Sequence, residues 1–167
     1  MGDLNWLNGY GGETTMDLLG LEGRFRADSI VLVFEQAISQ KATRSGGDRL
    51  TWAERTVLAV EALEREVNSD GYLGFFANAP EHVPEVVASL EGIGRPDVAE
   101  LTTRAIDALG ISGPVTEQSV VAAVEAEDDE RDDRLNACDN EYYESAGDLA
   151  DPLLAFIRSN ADQISVP

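Results

Sequence analysis

Cysteine, histidine and lysine are almost missing from this chain of 167 residues: Cys138, His82 and Lys41 are the only ones of their kind. One cysteine permits no internal disulfide. A Cys/His zinc site or a Cys-His nucleophile pair would need distant segments to meet, so metal and triad chemistry are not expected. No apolar run approaches the roughly 18 residues of a membrane span. The start, Met1-Gly2-Asp3-Leu4-Asn5, lacks a basic region followed by an apolar stretch. The expectation is a cytoplasmic protein that touches no membrane. Neither Gly-x-Gly-x-x-Gly nor Gly-x4-Gly-Lys-Ser/Thr occurs, so no phosphate cradle and no cofactor are expected.

What the chain has in excess is negative charge. Asp and Glu number 32 against 12 Lys and Arg, a net of -20, in a composition otherwise that of a globular domain. Such a surface repels nucleic acid and attracts basic partners. Residues 117–151 hold 13 of the acids and 2 of the bases, so over half of the excess lies in about a fifth of the chain. The near-absence of lysine is also what genome composition or salt adaptation would leave.

Helical spacing dominates. Ile30, Phe34, Ala37 and Ile38 share one helical face between Phe25 and Lys41, although Ile30 to Phe34 alone reads equally as a buried strand. Thr51-Trp52-Ala53-Glu54 is a capping-box pattern opening a helix with Trp52, Thr56, Ala59, Val60, Leu63 and Val67 inward and Arg55, Glu61, Glu64 and Arg65 outward. That helix is expected to stop at Asn68-Ser69-Asp70-Gly71. Two short helices follow, Val83 to Leu90 and, after Pro96, Val98 to Leu109 with a terminal Gly110. Another is expected to run unbroken from Thr116 through Val124 and Glu125 to Arg134. The last carries Leu149, Leu153, Phe156 and Ile157 on one face. No segment alternates with period two, so the fold class is all-α, a single compact multi-helix domain over 15–167. Residues 1–14, with Trp6 and Tyr10 among glycines, form a piece that is either mobile or tucks its rings under the core.

Glu64-x-Glu66-Val67-Asn68-Ser69-Asp70-Gly71-Tyr72-x-x-Phe75-Phe76-x-Asn78, followed by Leu90-x-x-Ile93-Gly94 and a later Asp139-x-x-Tyr142-Tyr143, resembles the signature of the bacterial DNA-mimic protein family. The resemblance spans roughly Thr15 to Asn160. It departs at Ser69-Asp70, where Asn-Gly or Gly-Gly is usual, and an Asp in a left-handed conformation would keep the turn. The resemblance implies an all-α fold and binding of a basic DNA-binding protein through an acidic surface, without direct contact to nucleic acid.

The same motif also reads as structure: a helix end, a tight turn and a short helix whose Phe rings plug the core. Glu61, Glu64 and Glu66 invite a carboxylate or metal reading, but no Glu-x-x-His pair or calcium-loop spacing supports one. His82 is read as an exposed first-turn residue and Cys138 as a small buried apolar group. The expectation is therefore no catalytic residue, no metal and no enzymatic activity.

The candidate partner-binding residues are Glu125, Asp128, Asp129, Asp132 and Asp133, a carboxylate stripe at spacings of 3 and 4, with Arg131 and Arg134 as the local cations. Like-charge pairs at 125/129, 128/132 and 129/133 would each cost such a helix about 0.2–0.5 kcal/mol. One turn separates such carboxylates by about 6 Å, whereas duplex DNA carries a charge every ~1.7 Å. A second row is needed, and Asp139, Glu141 and Glu144, with Asp148 and Asp151 beyond, are the nearest candidates. The alternatives are an immunity-type protein that neutralises a basic toxin and an acidic structural domain whose charge serves solubility. Oligomeric state stays open.

Overall fold

The computed structural model of the chain describes residues 2–167. Eight α-helices account for well over half of them: α1 Thr15–Leu19, α2 Ala27–Ser45, α3 Trp52–Asn78, α4 Val83–Gly92, α5 Pro96–Ala108, α6 Glu117–Glu125, α7 Asp129–Ser145 and α8 Ala150–Ser159. Among the described residues there is no strand, only two isolated bridges near Phe25. The fold is all-α. Contacts group it into two compact units, one with the described residues up to Glu61 together with Ala150–Pro167, the other Ala62–Leu149.

In the first unit the face read from the sequence is the buried one. Ile30, Phe34 and Ile38 of α2 have no exposure, nor do Leu153 and Ile157 of α8, and the two helices pack together. The ambiguous Ile30 to Phe34 run is helix because it lies inside nineteen residues of continuous helical pattern. The capping box at the start of α3 forms: the Glu54 amide donates to Thr51 Oγ1 at 3.1 Å, and the Thr51 amide donates to Glu54 Oε2 at 3.1 Å. Glu54 is also wholly buried, accepting from Lys41 Nζ at 2.6 Å and from the Ser165 amide at 3.1 Å. The chain end is fastened to α1 as well, with the Thr15 hydroxyl donating to the Ile164 carbonyl at 2.6 Å. Trp52, expected on the inward face, is exposed.

Residues 5–10 follow α2. The Arg26 amide donates to the Asn5 carbonyl, the Leu7 amide to Ser29 Oγ and the Tyr10 amide to Gln36 Oε1. Trp6 stays outside the core, with the Arg26 guanidinium 5.4 Å from its ring centroid.

In the second unit, α5 packs on both α4 and α7. The turn expected after Asn68 is a break inside α3, because Asp70 and Gly71 depart from helical dihedrals while helical hydrogen bonding resumes at once. Asp70 is not left-handed, having φ -136°; Gly71 alone takes positive φ, at 72° with ψ -173°, a region open to glycine because it lacks a Cβ. The short helix beyond the break buries Tyr72, Phe75 and Phe76 completely, so the motif's aromatics are core. His82 ends a 3-10 turn, Pro80–His82, and is half-buried, not exposed. Glu61 and Glu64 are likewise half-buried.

Candidate acidic interface

The charge is unequally shared. The Ala62–Leu149 unit has 21 acidic and 5 basic residues, a net of -16; the other has 11 and 7, a net of -4. Within the acidic unit the expected unbroken helix from Thr116 to Arg134 does not form. Helix α6 ends at Glu125, Ala126 turns extended with ψ 137°, and α7 begins at Asp129. The break has a local cause. Asp128 is the N-cap of α7, its Oδ1 accepting from the Arg131 amide at 3.0 Å. Asp129, Glu130 and Asp132 then fall in the first turn, where the helix dipole favours negative charge. The like-charge pairs 125/129 and 128/132 therefore do not lie along one helix, and only 129/133 does.

Arg131, which sequence spacing makes one of two surface cations, is 5% exposed and closes this corner. Its Nη1 donates to the carbonyls of Ala123 at 2.6 Å and Ala126 at 2.8 Å, and its Nε donates to Asp132 Oδ1 at 2.9 Å. The guanidinium thus satisfies carbonyls that a helix C-terminus leaves without partners. Around it Glu125, Asp128, Asp129 and Asp133 are exposed, and Asp132 is half-buried. Glu127 and Glu130, outside the expected set, are exposed at the same corner, Glu130 paired with Arg134 at 2.5 Å.

The residues expected as a second row differ in their surroundings. Asp139 is half-buried and accepts from the Tyr72 amide at 2.7 Å, capping the short helix after the break in α3. Burial pushes its carboxyl above the usual aspartate range, against the pull of that amide. Glu141 is exposed but binds Arg104 of α5 at 2.6 Å, and the hydrogen bond from that guanidinium holds its carboxyl below the ordinary glutamate value. Glu144 and Asp148 are exposed, and Asp151 belongs to the other unit. Along the outer side of α7, Asp129 and Asp133 are followed by Asn136 and Asn140 before Glu144, so charge crowds at the helix start.

Between α5 and α7 lies an open groove of about 320 Å³ lined by Arg104, Asp107, Arg134, Cys138 and Glu141 with two alanines. Cys138 is buried as expected, and burial pushes its thiol above the ordinary value, which disfavours the thiolate.

The family model described as DMP19-like protein matches residues 48–160, well over half of the chain. The chain belongs to the DMP19-like family. The resemblance read from the Glu64–Asn78 motif points to the same DNA-mimic assignment, and the match covers that motif, the α6–α7 corner and the whole of α7. Neither the curated proteins nor the solved structures compared with the chain include a match. Among the described residues no helix is long and apolar enough to cross a membrane.

Proposed function

We propose that this member of the DMP19-like family is a non-enzymatic protein that binds the DNA-contacting face of a basic DNA-binding protein through its α6–α7 corner. The observation that carries the reading is the crowding of exposed carboxylates, Glu125, Glu127, Asp128, Asp129, Glu130 and Asp133, about one buried arginine. A partner built to neutralise phosphates meets there a set of anions held on two helix ends. The spacing along a single helix remains wider than that of duplex charge, so the corner, which combines residues of two helices, is the better imitation.

The test is affinity capture from a lysate of the protein's own cells, first at low salt, then with increasing salt, then with added duplex carrying the captured protein's binding site. A mimic releases its partner to salt and to duplex alike, because charge drives the contact and the two ligands share one face. A ternary complex of mimic, partner and duplex would contradict the reading. A basic partner released by salt but indifferent to duplex would favour neutralisation of a basic toxin instead.

A further inference from the structure

We infer that Arg131 is a positioning residue for the acidic corner: it fixes the end of α6 against the start of α7 and so sets the spacing of carboxylates that a rigid partner reads. The inference rests on the proposed function above. One buried side chain reaches three groups, the carbonyls of Ala123 and Ala126 on the α6 side and the Asp132 carboxylate on the α7 side. Its own amide meanwhile donates to the Asp128 cap. The residues between the helices, Ala126, Glu127 and Asp128, are all exposed, so the joint is not held by burial of its own side chains. A planar guanidinium with several fixed donors can bridge such a set, and a single ammonium cannot reproduce the geometry. The cation costs the corner one unit of negative charge, yet at 5% exposure it presents little of its positive end to a partner. It shapes the anionic surface without interrupting it.

This separates shape from charge, and two probes measure each. A short, flexible oligoarginine peptide responds to net charge; a rigid, basic helix-turn-helix domain responds also to where the carboxylates sit. Arg131→Met keeps the aliphatic stem and makes the protein one unit more negative. It is expected to bind the peptide as tightly as the parent or more so. Binding to the rigid domain is expected to weaken about tenfold, equivalent to ~1.4 kcal/mol. Arg131→Lys should recover part of the loss. Insertion of Gly-Gly after Glu127, which leaves Arg131 in place, should give the same split between probes, and amide exchange at residues 126–128 should quicken in each variant. Parallel losses for both probes, or no loss for either, would overturn the inference, the first by showing general damage and the second by showing that spacing is not read. If the parent binds the rigid domain no better than the peptide and operator duplex does not displace it, the mimic reading fails and this inference with it. Faster exchange at 126–128 in Arg131→Met would then still identify the residue as a clamp, so the two failures are told apart.

Discussion

The Asp139 carboxylate of α7 accepts the backbone amide of Tyr72 at 2.7 Å and occupies the space that a Cβ on Gly71 would enter. One contact thus explains two features of this sequence: a glycine at the break in α3 and an aspartate 68 residues later.

Gly71→Ala is expected to destabilise the protein by at least the 1–3 kcal/mol typical of a residue forced into a sparsely populated backbone region, with the collision against Asp139 added. Denaturant unfolding measures it. In an Asp139→Ala background the collision is gone, so the double variant should be more stable than the sum of the single losses; strict additivity would show that the two residues do not meet.

Phe76→Ala is expected to cost about 3–5 kcal/mol, the range for truncating a buried aromatic. Phe76 is fully buried, with its ring centroid 5.7 Å from that of Phe75 and 6.1 Å from that of Tyr72. Partner affinity per folded molecule should be unchanged. A stable variant that no longer binds would place the motif in the interface.

Much of this architecture was legible. Thr51 and Glu54 announced the start of α3, and Pro96 and Gly110 bracketed α5. The α6–α7 break is hidden in the sequence because acids at spacings of 3 and 4 continue across it and hydrophilic periodicity has no face to lose. Its local signal was Asp128 followed by first-turn acids, which is an N-cap pattern. The burial of Arg131 is not legible, because arginine is rarely buried unless paired and two of its three partners are the Ala123 and Ala126 carbonyls, which spacing cannot show. Asp139 and Glu141 looked like surface charge because their partners, Tyr72 and Arg104, are brought to them only by tertiary packing.

Asp139 gives a pH dependence. Burial raises its carboxyl in the folded protein, so the native state holds the proton to higher pH than the unfolded chain, whose aspartates titrate near about 3.9. The stability this group contributes is present below that value and is lost as pH rises through the raised one. Asp139→Asn keeps an acceptor for the Tyr72 amide and does not titrate. Its stability relative to the parent should therefore increase between pH 4 and pH 7, as urea unfolding at both values would show. A difference that stays constant or shrinks would contradict the assignment.

Lys41→Met is expected to cost about 3–5 kcal/mol, because it leaves the wholly buried Glu54 carboxylate without its cation, with only the Thr51 and Ser165 amides donating to it. Glu54→Gln should cost less, since Lys41 is partly exposed and still reaches the Ser165 carbonyl. Thermal unfolding of the two variants ranks them, and the reverse order would show that the buried Glu54 charge does not depend on Lys41.

The central claim is that carboxylates at the α6–α7 corner stand in for phosphates, and the salt dependence of partner binding tests it most directly. The variant combines Glu125→Gln, Asp128→Asn, Asp129→Asn and Asp133→Asn; asparagine preserves the cap at position 128. Its stability should fall only slightly, because first-turn acids favour their helix. The account predicts weaker binding of the captured basic protein and a shallower slope of log affinity against log salt than in the parent. An unchanged affinity with an unchanged slope would place the interface elsewhere and contradict the account.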